Sequence, residues 1–161
     1  MSNLITASPP TGQVDVRGPR FAAWITTAVL ALVLIVAAFS VPAAAVLLAA
    51  QAVVFALGAA TGPRRSPYGR IYANLVAPRV GPALEVEPVA PLRFAQLVGL
   101  IFAVLGVLGF AAGVPVAGAI FAGFALFAAF LNAAFGICLG CKIYPLVSRF
   151  KTAPTTPTPT A

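Results

Sequence analysis

Two long stretches without a charged side chain constrain this sequence more than any other feature. No Asp, Glu, Lys or Arg occurs between Arg20 and Arg64, a run of 43 residues, or between Arg93 and Lys142, a run of 48. A helix needs roughly 20 apolar residues to cross a bilayer. Each stretch is therefore long enough for two membrane helices and a tight turn. With 61% hydrophobic residues and 8% charged residues, the chain also lacks the polar surface of a soluble domain.

Proline-containing segments divide each stretch near its middle, at residues 40–42 and 113–115. Proline is tolerated in the first turn of a helix but interrupts whatever precedes it. We predict an all-α, polytopic membrane protein with four transmembrane helices, which form two hairpins. The expected spans are about 21–40, 43–60, 94–112 and 115–138. The first apolar segment is longer than the core of a typical signal peptide, so we expect it to remain as a membrane helix.

The basic residues predict the orientation of these helices. All ten fall in the amino-terminal segment, the central loop at about 61–93 or the tail, and none falls in the two short turns. Basic segments remain in the cytoplasm. We therefore expect both termini and the central loop to be cytoplasmic, in the plasma (inner) membrane of a bacterium. Topology and anionic lipid headgroups account for the excess positive charge, so a nucleic-acid partner is not predicted.

The segments outside the four-helix domain, which we expect at 21–148, differ in composition. Residues 1–20 and the Pro/Thr-rich tail at 149–161 are predicted to be disordered, because neither can bury enough apolar surface. Within the central loop, Ser66 and Pro67 are typical of a helix start, and Pro78 is expected to end that helix. Its apolar face would consist of Tyr68, Ile71, Tyr72, Leu75 and Val76. We expect this face either to lie in the headgroup layer or to pack the loop against the bundle.

Few polar residues interrupt the predicted spans. Gln51, Gln96 and Asn132 are expected to form hydrogen bonds between helices, as such groups usually do in hydrocarbon. The pair Gly109 and Gly113 fits the pattern of close helix packing, although this pattern has little specificity in a chain rich in Gly and Ala.

Cys138 and Cys141 are the only cysteines, and they are the candidate catalytic residues. A C-x-x-C pair in a reducing compartment is more often catalytic or metal-binding than structural. Three interpretations remain open: an inert pair, a metal site, or a redox-active dithiol. Because the chain has no histidine, a metal site at Cys138 and Cys141 would require a homodimer that supplies four thiolates. The predicted location at a helix carboxyl terminus disfavours thiolate and argues against the redox interpretation.

The stretches VDVRGPRF (14–21), PLRFAQ (91–96) and GICLGCKIY (136–144) resemble a family of uncharacterised bacterial membrane proteins. This family is a domain of unknown function that is common in actinobacteria. The resemblance covers about residues 14–148, and the Cys-x-Gly-Cys motif is its most specific part. It implies a four-helix membrane protein without an established activity. Genes of the family often lie near genes for thioredoxin-like proteins and rhodanese-like sulfurtransferases, which supports thiol or sulfur chemistry by association.

The sequence thus predicts a membrane accessory protein in thiol-redox or reduced-sulfur handling on the cytoplasmic face. Its expected partners are the lipid bilayer and a soluble thioredoxin-like or sulfurtransferase protein, and no cofactor is predicted. The alternative is a metal-binding or purely structural membrane subunit. Whether the protein is an enzyme is left open.

Overall fold

A computed structural model describes residues 12–151, and four long helices dominate it. The four are apolar and long enough to cross a membrane, which confirms the prediction of an all-α fold with four such helices and excludes a barrel. Three short helical segments, a two-stranded sheet and a final helix complete the described chain. In order, the elements are β1 Gln13–Asp15, α1 Arg17–Ala37, α2 Val41–Thr61, α3 Pro67–Ile71, a π-helical turn Tyr72–Val76, α4 Ala77–Val80, β2 Val86–Pro88, α5 Val89–Ala111, α6 Pro115–Phe135 and α7 Leu139–Lys151.

Both hairpin turns fall at the prolines. Ser40 caps α2, and its side-chain oxygen accepts a hydrogen bond from the backbone N–H of Ala43 at 3.4 Å. In the second turn Gly113 has a φ of +75°, a left-handed conformation that a residue with a Cβ rarely adopts. Pro115 then begins α6, where its missing N–H is not needed.

The four long helices form a ring in which α1 and α5 each pack against both α2 and α6. The core between them contains Leu30, Leu48, Phe55 and Phe110. The α5–α6 hairpin is narrowest near its turn, because a Cβ on Gly109 would lie only 2.6 Å from the backbone nitrogen of Gly118. The close pair is thus Gly109 with Gly118. Gly113, the predicted second member of the packing pattern, lies in the turn instead.

Arginines cap helix carboxyl termini at the opposite end of the bundle from the two turns. Arg93 of α5 donates hydrogen bonds to the carbonyls of Ala59 and Ala60 at 2.7 and 2.8 Å, in the last turn of α2. Arg20 of α1 reaches the carbonyl of Ala133 near the end of α6 at 3.4 Å. The last carbonyls of a helix lack intrahelical partners and carry negative partial charge. The basic residues therefore stabilise the bundle as well as marking one end of it.

The amino-terminal segment differs from the prediction of disorder over residues 1–20. Residues 1–11 lie outside the described part of the chain, but Gln13–Asp15 forms a strand and α1 already begins at Arg17. This strand pairs antiparallel with Val86–Pro88, where Val14 lies opposite Glu87. The amino-terminal segment is ordered because it pairs with the central loop, and its composition does not reveal this pairing. Of the predicted disordered tail, 149–151 belong to α7, and 152–161 lie outside the described residues.

Asp15 and Arg17 form an ion pair at the end of this strand, and both residues hydrogen-bond to the central loop. Asp15 accepts hydrogen bonds from the backbone and side chain of Arg17 and, at 3.0 Å, from the hydroxyl of Tyr72. Arg17 also donates to the carbonyls of Val80, Gly81 and Pro82. Partial burial alone would raise the pKa of Asp15, but these hydrogen bonds and the positive charge of Arg17 outweigh it, and the pKa is lowered.

The predicted loop helix begins as expected, with Ser66 capping the backbone N–H of Gly69 at 3.1 Å. It does not end at Pro78, however, because Pro78 falls in the first turn of the following segment, which continues to Val80. The π-helical turn also divides the predicted apolar face. Tyr68 donates to the buried Gln51 at 2.7 Å and Tyr72 is buried, whereas Ile71 and Leu75 remain exposed. Packing against the bundle is thus the observed role of the tyrosines.

Candidate functional site

The end of α6 determines where the two cysteines lie. This helix ends at Phe135, three residues before the predicted limit of 138. Gly136 adopts a left-handed conformation with a φ of +68°, and its N–H bonds to the carbonyl of Asn132. Ile137 then bonds back to Leu131. A left-handed glycine is a common helix terminator, because it requires no Cβ to enter a strained region.

Cys138 occupies the position immediately before the first residue of α7. Its sulfur accepts a hydrogen bond from the backbone N–H of Cys141 at 3.3 Å, and its carbonyl accepts one from Lys142 at 3.1 Å. This is the arrangement of a helix amino-terminal cap, with sulfur in the role that a serine oxygen usually plays. The expectation that the pair lies at a helix carboxyl terminus is therefore wrong, because Gly136 ends α6 and a new helix starts at Leu139.

The two cysteines form a disulfide with each other, and their Cα atoms are 5.2 Å apart. Both side chains are half-buried. One chain is thus sufficient to bring the two sulfurs together. Among residues 12–151, no group of three or more His, Cys, Asp or Glu side chains is arranged to hold a metal ion.

The electrostatic environment of Cys138 favours a negative charge. The backbone N–H of Cys141 in the first turn of α7 donates to its sulfur, and the positive end of the helix dipole lies there. Lys142 follows in the same turn, and the Arg20 guanidinium is 4.0 Å from where a Cβ on Gly136 would lie. Thiols in such surroundings ionise more readily than a free cysteine. The physical objection to thiol chemistry at this site is thereby removed.

Gly140, between the cysteines, fixes the first turn of α7 against α5. A Cβ at this position would lie 2.6 Å from both the Cα and the Cβ of Ala95, so any larger residue would force the helices apart. The rings of Phe94 and Tyr144 extend the contact, with centroids 5.9 Å apart. The disulfide is consequently held against the membrane bundle rather than on a free loop.

Cys138 also forms part of the wall of a cavity of about 420 Å³ in the same end of the bundle. Small residues of α1, α5 and α6 leave this space, and Phe55 and Phe102 border it. Its polar lining consists of Thr26, Gln96 and Asn132. Asn132 and Cys138 both line the cavity, because the chain turns at Gly136 between them. Sequence reasoning missed the cavity, although Gly136 and Gly140 were available as signals of a break and a close contact.

Four apolar helices long enough to cross a membrane define the class, which is a multi-pass membrane protein. A disulfide lies at the amino end of the helix that follows them. The family described as "Domain of unknown function (DUF4395)" matches residues 14–149, and the chain belongs to this family. Comparison with curated proteins and with solved structures finds no match.

Proposed function

We propose that this protein is a thiol–disulfide redox protein of a bacterial plasma membrane, with Cys138 and Cys141 as its reactive pair. The observation that carries the proposal is the hydrogen bond from the backbone N–H of Cys141 to the sulfur of Cys138 at a helix amino terminus. That position stabilises thiolate, which is the species that attacks disulfides. In the reduced protein, Cys138 is accordingly the residue that attacks an electron acceptor, and Cys141 completes the disulfide.

The orientation in this proposal has both termini and the central loop in the cytoplasm. Its support is the collection of basic residues at the end of the bundle that also carries the cysteines. The cytoplasm is reducing, so a disulfide there is expected to be transient and functional rather than structural. A soluble thioredoxin-like or sulfurtransferase protein is the proposed exchange partner.

The exchange conserves electrons. A thiolate of the reduced partner attacks one sulfur of the Cys138–Cys141 disulfide, which forms a mixed disulfide and releases the other cysteine as thiolate. The second thiol of the partner then attacks the mixed disulfide. The partner ends oxidised, and Cys138 and Cys141 end as thiols.

The partner would approach the face formed by the central loop, where Arg64, Arg65, Arg70 and Arg79 are exposed. Charges on such a surface accelerate association by steering, and salt screens the effect. An acidic surface around the partner's active site is therefore expected. Arg17 is unsuitable for a test of this steering, because it forms an ion pair with Asp15 and donates hydrogen bonds to three carbonyls of the loop.

A trapping experiment tests the proposal. A thioredoxin-like partner without its resolving cysteine is mixed with the oxidised full-length protein, and covalent complexes are separated without reductant. We expect a mixed disulfide with the wild type and none with the double variant Cys138→Ser, Cys141→Ser. Charge reversal at Arg64 and Arg65 is expected to slow capture, more strongly at low salt. Equal capture of the double variant would refute the proposed role of the cysteines.

A further inference from the structure

The cavity beside Cys138 has the features of a binding site for a neutral ring. Its volume of about 420 Å³ lies within the range of small-molecule sites. No charged side chain occurs among the described residues that line it, and Phe55, Phe102, Phe124 and Phe127 supply aromatic walls. Small residues of α5 and α6, among them Ala95, Ala125 and Ala128, leave the space between these rings.

Two side-chain amides inside this wall are available to a ligand. Within residues 12–151, neither Gln96 nor Asn132 has a hydrogen-bond partner for its side chain, although both line the cavity. An amide N–H₂ without a partner in apolar surroundings favours a ligand that offers a carbonyl oxygen. The side chain of Gln96 packs closely against Gly58, where an added Cβ would lie 3.0 Å from its carboxamide carbon.

The cavity also borders the surface that would face lipid. Phe124 and Phe127 line it, and they are 56% and 58% exposed on the outside of the bundle. A lipid-soluble molecule could therefore enter sideways from the bilayer. Cys138 and Gly140 line the cavity at the start of α7, so a ligand inside would lie beside Cys138.

From these features we infer that the cavity binds a membrane quinone, which accepts the electrons of the Cys138–Cys141 dithiol. A quinone is a flat, neutral ring with two carbonyl oxygens and an apolar tail, so it matches the aromatic walls, the two amides and the lateral opening. This inference rests on the proposed function, because it names the electron acceptor of the same cysteine pair.

The reaction balances without another reactant. The Cys138 thiolate bonds to a ring carbon of the quinone, and one ring oxygen takes a proton. The Cys141 thiolate then attacks the Cys138 sulfur, so that the S–S bond forms and the C–S bond breaks with its electron pair on the ring. A second proton on the other ring oxygen gives the quinol. Two thiols lose two electrons and two protons, and the quinone gains both.

The test uses the reduced full-length protein in lipid nanodiscs with decylubiquinone, a fully substituted quinone. Quinone reduction is followed by ultraviolet absorbance and the cysteines by mass-tagged alkylation. We expect one quinol per chain with the wild type and none with Cys141→Ser. Ala128→Phe fills the cavity and should slow the reaction by about tenfold or more. The matched variant Ala28→Phe, on the exposed face of α1, should react like the wild type.

A parallel oxidation by glutathione disulfide separates the two proposals. If glutathione disulfide oxidises the pair and the quinone does not, the quinone inference is overturned and the proposed function survives. If neither reagent forms the Cys138–Cys141 bond, both fail. Equal rates for Ala128→Phe and Ala28→Phe would also overturn the inference. If Ala128→Phe folds poorly, Gln96→Leu is the second test variant. Loss of the Gln96 amide should raise the KM for the quinone.

Discussion

The backbone N–H of Cys141 donates a hydrogen bond to the sulfur of Cys138 at 3.3 Å. This contact makes Cys138 the cap of α7 and orients the first turn of that helix toward the sulfur. The two cysteines are therefore not equivalent, although they are three residues apart and joined to each other. Cys138 receives the stabilisation of the helix terminus, whereas Cys141 supplies part of it.

The first prediction concerns the acidity of the two thiols. In the variant Cys141→Ser, the remaining Cys138 is expected to have a pKa below the value of about 8.5 that a free thiol has, because the helix terminus stabilises its thiolate. In the variant Cys138→Ser, the remaining Cys141 should titrate at a higher pH. The pH dependence of alkylation rates measures both values. The reverse order would contradict the assignment of Cys138 as the attacking residue.

The second prediction concerns Gly140. The change Gly140→Ala should lower stability by about 1–3 kcal/mol, because its Cβ would collide with the backbone of Ala95. Helix propensity alone would favour alanine, so the sign of the effect identifies the collision. Thermal unfolding in detergent measures it. Gly123→Ala is the matched control, since nothing lies within 4 Å of an added Cβ there, and it should be neutral or stabilising.

The third prediction concerns pH and Asp15. Because the folded-state pKa of Asp15 is lowered, its carboxylate stabilises the fold above the ordinary carboxyl pKa, and that stabilisation is lost as the pH falls through the lowered value. Asp15→Asn should thus lower Tm at neutral pH, and its difference from the wild type should shrink steadily as the pH falls below the ordinary carboxyl pKa. Burial raises the pKa of Glu87. Glu87 is present in both the wild type and Asp15→Asn, so its effect on Tm cancels when the two are compared. A difference independent of pH would show that the charge of Asp15 is irrelevant.

The fourth prediction concerns topology. In a background of Cys138→Ser and Cys141→Ser, a cysteine that replaces the exposed Leu75 should react with an impermeant maleimide only when the cytoplasmic face is open. A cysteine that replaces Val114, exposed in the α5–α6 turn, should react from the other side. Labelling of position 114 from the cytoplasm would invert the proposed orientation.

The four long helices could be predicted because charge and proline mark their limits directly. Helix ends that lie within apolar segments were harder to predict. Gly136 lies in a run of apolar residues, so the run was extended to Cys138, and the pair was assigned to the wrong kind of helix terminus. A left-handed glycine interrupts a helix without interrupting hydrophobicity, which is why the periodicity concealed it.

The other differences arise from tertiary contacts. Strand β1 is ordered by pairing with residues 86–88, more than 70 positions away, and no local signal in 12–16 encodes that partner. The loop helix turns Tyr68 and Tyr72 inward because Gln51 and Asp15 accept their hydroxyl hydrogens. The cavity forms where residues of five helices, α1, α2, α5, α6 and α7, come together in the fold.

The central claim is that Cys138 and Cys141 interconvert between dithiol and disulfide within one chain. Equilibration of the membrane-embedded protein with dithiothreitol buffers of defined potential, followed by mass-tagged alkylation, measures this most directly. The account predicts a single two-electron transition in which both cysteines of a chain change together and the protein remains monomeric on a non-reducing gel. Two thiols that stay alkylatable at every potential, or an oxidised form that is only a disulfide-linked dimer, would contradict it.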